Sequence, residues 1–89
     1  MSKLSKEITI KNPQGLHARP AALFVQIVAK YNSNVTVQKG KDKVNGKSIM
    51  GILTLGAQKN STIVVEADGE DAAVVLTEIE GLLTKEEIQ

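Results

Sequence analysis

The chain has one histidine, and it stands in the run GLHARPAALFV, residues 15 to 25, between Gly15-Leu16 and Ala18-Arg19-Pro20. A neutral imidazole nitrogen is a nucleophile able to take a phosphoryl group, and the near-neutral titration of imidazoles lets protonation assist the group's later departure. Two residues on, Arg19 supplies a guanidinium fork suited to phosphate oxygens. Pro20 has no backbone N–H, which is harmless only in a helix's first turn, so a helix is predicted to start near Ala18 with His17 at or beside its N-cap. Histidine is not a favoured capping residue, and a cationic imidazole is repelled by the helix dipole. Free N–H groups and the dipole at such an end suit an anion, phosphate above all. His17 and Arg19 therefore read as a reversible phosphohistidine site; a surface histidine that merely ends a loop is the plainer alternative, with Gly15 an ordinary turn glycine.

A second stretch, GKSIMGILTLG at residues 46 to 56, offers a different chemistry. Ser48 is a good N-cap and Gly56 a plausible stop for a helix of about two turns. Phosphorylation of Ser48 would add charge that the helix start tolerates, so partners rather than stability would register it. Within this helix Ile49, Met50, Ile52, Leu53 and Leu55 spread around nearly the whole circumference. Either some of Ile49, Met50 and Leu53 face outward as an adaptable contact surface, or the helix is fully buried with Met50 filling a gap. On the first helix, Gln26 and Lys30 fall within about 20° of Arg19 and mark a solvent side, while Ala21, Phe24, Val25, Val28 and Tyr31 lie opposite. Leu23 falls about 40° from Arg19, which leaves an apolar group beside the cation.

These residues must be positioned by a small scaffold. KEITIK alternates with Ile8 and Ile10 on one side, NVTVQK repeats the pattern with Val35 and Val37, and TIVVEAD is β-branched up to Asp68-Gly69. A hairpin turn in GKDKVNGKS leads to a short strand around Lys41 to Asn45. Helices are predicted over Ala18 to Lys30, about Ile49 to Leu55, and about Glu70 to Leu83, the last capped by Asp68 with Glu70 and Asp71 favouring its N-terminal dipole. The order β-α-β-β-α-β-α predicts an α+β fold, a four-stranded sheet with helices on a single face.

Composition narrows the function further. At 89 residues and 42% hydrophobic content the chain is expected to form one domain over residues 1-89. With no cysteine and one histidine there is neither a thiolate site nor an imidazole cluster, so no metal and no cofactor is expected. The absence of a long apolar run predicts no membrane insertion and a cytoplasmic location. A net charge of +1 with one Tyr, one Phe and no Trp argues against direct nucleic acid binding. Lys39, Lys41, Lys43 and Lys47 cluster, but Asp42 interrupts them and they fit the solvated rim of a hairpin.

Taken together, GLHARPAALFV followed by VNGKSIMGILTLG resembles, over essentially the whole chain, the HPr family of histidine-containing phosphocarriers in the bacterial phosphoenolpyruvate-dependent sugar phosphotransferase system. The resemblance implies an open-faced β-sandwich with an antiparallel sheet of order 1-4-2-3 and three helices on one side. It implies a monomeric carrier, not an enzyme with its own turnover, that takes phosphate on Nδ1 of His17 from phospho-enzyme I and passes it to the EIIA domains of sugar permeases. Arg19 would pair with the phosphoryl group while backbone amides hold it. Ser48 matches the serine phosphorylated by HPr kinase/phosphorylase in carbon catabolite repression, where the family contacts a catabolite-control transcription factor. Leu23, Gln26, Ile49, Met50 and Leu53 would form the partner surface; Leu53 stands where many Gram-positive members carry methionine. The alternative within the family is a purely regulatory paralogue, of the catabolite-repression or nitrogen type. The former lacks the histidine, and KSIMG is more similar to the sugar-system protein than to the latter.

Overall fold

In the computed structural model, residues 3–86 are described. They run β1 (Lys3–Thr9), α1 (Ala18–Ala29), β2 (Asn34–Lys39), β3 (Asp42–Asn45), α2 (Ile49–Leu55), β4 (Thr62–Asp68) and α3 (Ala72–Thr84). This is the order that the alternation and helical spacing predict. The strands form one antiparallel sheet in the order β1-β4-β2-β3.

Alternation decides which face of the sheet is covered. On β4, Ile63, Val65 and Ala67 are buried while Thr62 and Val64 are exposed. Ile63 lies opposite Ile8 of β1, and Val65 and Ala67 lie opposite Val37 and Val35 of β2. This inner row packs under the helices against Phe24 and Val28 of α1, Ile52 of α2, and Val75, Ile79 and Leu83 of α3, all fully buried. The opposite face is mostly polar apart from Val64, with Glu66 lying 3.7 Å from Lys3 and 3.8 Å from Lys43 across it. Exposed pairs of this kind contribute little to stability.

Three features differ from the sequence expectation. Strand β1 begins earlier and ends at Thr9, before Ile10; that residue remains buried, with its N–H on the Ser61 carbonyl at 2.9 Å and its own carbonyl taking the Asn60 N–H at 2.7 Å. Val25 on α1 and Tyr31 just past its end are half-buried where full burial is expected. The third difference is at α3. Asp68 is still paired in the sheet, opposite Lys3 and Asn34, so it cannot cap a helix; the N-cap is Asp71.

The Asp71 carboxylate does not cap its own helix either. It accepts the Asn32 N–H at 2.9 Å, the Ser33 N–H at 3.0 Å and the Ser33 hydroxyl, and so ties the start of α3 to the α1–β2 connection. The Ser33 hydroxyl, followed by the Asn32 amide, holds the Asp71 carboxyl below its ordinary range. A second tie joins α1 to α3: Glu78 accepts from Lys30 Nζ at 2.7 Å and from the Tyr31 hydroxyl, and the Lys30 hydrogen bond first of all lowers its carboxyl pKa.

Candidate functional site

The segment that carries the histidine is a tight loop fastened on both sides. Asn12 opens a turn in which the Gly15 N–H donates to the Asn12 carbonyl at 3.1 Å, and Pro13 occupies the second position, where its fixed φ fits. Gly15 has φ +64, and a Cβ placed there would come within 2.6 Å of the Ala57 carbonyl oxygen. Only glycine satisfies both conditions. The next amide, Leu16 N–H, donates to that same Ala57 carbonyl at 2.8 Å, and the Leu16 side chain is buried. The loop before α1 is thus moored to the segment just after α2.

From this mooring His17 emerges as the N-cap residue of α1, exposed, with extended backbone (φ −106, ψ −173) and a side chain that makes no capping hydrogen bond. Its carbonyl takes the Ala21 N–H at 2.8 Å, which begins the helix. Pro20 has no N–H to offer, and neither Ala18 N–H nor Arg19 N–H has a backbone acceptor among the described residues. Two amides and the dipole of a helix of 12 residues therefore open beside the imidazole. Arg19 is exposed, and none of the ion pairs among the described residues involves it. A nucleophilic nitrogen, two uncommitted N–H donors and a free guanidinium share one helix start. That set is suited to receiving and releasing a phosphoryl group.

One contributor escapes sequence reasoning. Asn12 is fully buried, and its Nδ2 donates to the Gly15 carbonyl at 2.8 Å while its Oδ1 has no hydrogen-bond partner among the described residues. The only cue in the sequence is an asparagine at the head of a Pro- and Gly-containing turn.

The predicted ends of the second helix form as expected. Ser48 is the N-cap of α2, its Oγ accepting the Gly51 N–H at 3.0 Å, and Gly56 closes the helix in the left-handed region at φ +62. Asn45 shapes the approach: its side chain accepts the Lys47 N–H at 2.8 Å and its carbonyl the Ser48 N–H at 3.0 Å. The helix spans 7 residues, which puts Ser48 about 10 Å along the axis from the end moored to the histidine loop.

Less apolar surface is exposed than the sequence predicts. Met50 is 69% exposed and Ile49 37%, whereas Leu53 is half-buried against the core. Leu23 does not stand free beside Arg19. It is half-buried, and with the exposed Gln26 it lines an open cleft between α1 and α3, facing Ala73, Val74 and Thr77. The position of Leu23 around its own helix predicts exposure because the wheel takes no account of the neighbouring helix.

Comparison with known proteins agrees with this geometry. A family model described as the PTS HPr component phosphorylation site matches residues 4–85. Among solved structures, the phosphocarrier protein HPr of Bacillus anthracis is 34% identical, aligned over 93% of this chain and 99% of that one, with a TM-score of 0.89. HPr of Thermoanaerobacter tengcongensis is 42% identical over 93% of this chain and 91% of its own, with a TM-score of 0.80. The Bacillus subtilis catabolite repression protein Crh, solved as a domain-swapped dimer, is 36% identical over 94% and 97% of the two chains, with a TM-score of 0.75. With an order β1-β4-β2-β3 sheet, helices over one face and a histidine at the head of α1, this chain belongs to the HPr family of phosphocarriers of the phosphotransferase system.

Proposed function

We propose that residues 1-89 act as one monomeric phosphocarrier unit, in which His17 takes a phosphoryl group from phospho-enzyme I and delivers it to EIIA domains of sugar permeases. The observation that carries this reading is the uncommitted state of the helix start: His17 is exposed without a capping bond, beside the free Ala18 and Arg19 amides. In the forward step the Nδ1 lone pair forms the new N–P bond as the bond between phosphorus and its carrier atom on enzyme I breaks. The two amides and the Arg19 guanidinium then carry the negative charge of the bound group. Transfer onward reverses the sequence, the imidazole leaving as the EIIA nucleophile attacks, with proton uptake easing its departure. The carrier is consumed and regenerated in stoichiometric amounts, in keeping with a site that lies open at the surface.

Purified protein incubated with phosphoenolpyruvate and enzyme I should gain the mass of one phosphate, lost on brief acid treatment and absent in His17→Ala. No gain, with an enzyme I proven active on another carrier, would overturn the reading.

A second reading, a purely regulatory module read through Ser48, is favoured by the likeness to Crh and by the exposed Ile49 and Met50 beside the capping serine. Incubation with ATP and HPr kinase/phosphorylase should then give an acid-stable phosphate that Ser48→Ala removes, and the modified protein should bind a catabolite-control transcription factor. The two roles can coexist on one chain, and acid lability separates their products.

A further inference from the structure

In a regular α-helix each N–H donates to the carbonyl four residues back. The Arg19 N–H would therefore be claimed by the Gly15 carbonyl if α1 began one turn earlier, and the Ala18 N–H by that of Gln14. Either bond would remove a donor from the face that His17 presents. Pro20 adds none, so these two amides are the whole supply in the first turn before Ala21.

The Gly15 carbonyl is kept from this by Asn12. The Asn12 main-chain carbonyl accepts the Gly15 N–H at 3.1 Å, and its side-chain Nδ2 donates to the Gly15 carbonyl at 2.8 Å, so one residue holds both polar groups of Gly15. A carbonyl aimed back at residue 12 is not aimed along the helix at residue 19. The positive φ of Gly15 has the same sense, since no α-helix continues through it. Asn12 makes this bond while fully buried, its Oδ1 having no hydrogen-bond partner among the described residues.

We propose that Asn12 is a positioning residue of the phosphoryl site, holding the Gly15 carbonyl away from α1 so that the Ala18 and Arg19 amides remain free for the phosphoryl oxygens. The inference rests on the phosphocarrier reading of His17.

The test uses the full, unphosphorylated chain labelled with nitrogen-15 and titrated with inorganic phosphate, following the Ala18 and Arg19 amide resonances. Without substitution, both amides should shift with phosphate and exchange with solvent as unbonded first-turn amides do. Asn12→Ala removes the donor and leaves a space, whereas Asn12→Asp keeps the shape and replaces the donor by an acceptor. Either variant that folds should lose apparent phosphate affinity at these amides by about tenfold, with the resonances of β4 and α3 unmoved. Its phosphohistidine should also hydrolyse several-fold faster. An unchanged affinity in a folded variant overturns the proposal, as does strong exchange protection, or no phosphate response, of Ala18 and Arg19 in the unsubstituted chain. Failure of the phosphocarrier reading is seen separately, as absence of transfer from enzyme I to the unsubstituted chain.

Discussion

At the scale of single residues, the histidine loop has little tolerance for added atoms. Gly15→Ala meets both a positive φ and a carbonyl oxygen 2.6 Å from the new Cβ, and that oxygen is main chain, so the moored segment itself must shift. The variant should lose about 3 kcal/mol in thermal or urea unfolding and transfer phosphate more slowly; retention of both would show that the mooring is soft. Arg19 is exposed and its proposed role rests on charge and not on packing, so Arg19→Glu should leave the melting temperature nearly unchanged while cutting the rate of transfer from enzyme I at least tenfold. An unchanged rate would remove it from the site. His17, Arg19 and Pro20 are legible in the sequence because each acts through local rules, cap preference, charge and a missing N–H. Asn12 is not, since its meaning lies in burial and in an unpaired oxygen.

Among the elements, the strands were the easiest to read and the helix ends the hardest. The β-branched run TIVVEAD, stopped by Asp68-Gly69, gives β4 residue for residue, although the exposed Val64 shows that side-chain type alone does not say which face is covered. The start of α3 is obscured by three acidic residues in close succession, any of which suits a helix start. Sheet pairing claims Asp68, and the α1–β2 connection claims the carboxylate of Asp71. That use of Asp71 has a pH signature. Its carboxyl is held below its ordinary value of 3.8 in the folded chain, so its stabilising effect is complete above that value and is lost as the pH falls through the lowered one. Glu78, lowered from 4.5 mainly by Lys30, acts in the same direction. The melting temperature should fall between about pH 5 and pH 2, and Asp71→Asn should flatten that fall while lowering stability at neutral pH. An unaltered acid profile in the variant would show that the tie is not formed in solution. At α2, Ser48→Ala should cost about 1 kcal/mol in unfolding, the usual loss for a capping serine.

For the whole molecule, one core is shared by the sheet and all three helices, and Phe24 is its largest fully buried side chain. Phe24→Ala should destabilise by about 3–5 kcal/mol, whereas Met50→Lys, at a residue 69% exposed, should leave unfolding unchanged and weaken binding to a regulator or to enzyme I. Equal binding by Met50→Lys would place the partner surface elsewhere. The element order was legible from periodicity; the strand order was not, because alternation says which face of a strand is buried and never which strand lies beside it. That order came from the resemblance of two motifs, and the structure bears it out. It also sets a timetable for synthesis. Strand β1 leaves the ribosome first, yet β4, its partner in the sheet, leaves after both shorter helices, and the loop bearing His17 is moored to Ala57. A nascent chain halted before Asp68 therefore contains the histidine, the arginine and the proline and still lacks the site they form. Chains arrested at increasing length and offered phospho-enzyme I should stay unphosphorylated until β4 and then α3, whose Leu83 carbonyl accepts the Lys11 and Asn12 amides, have emerged.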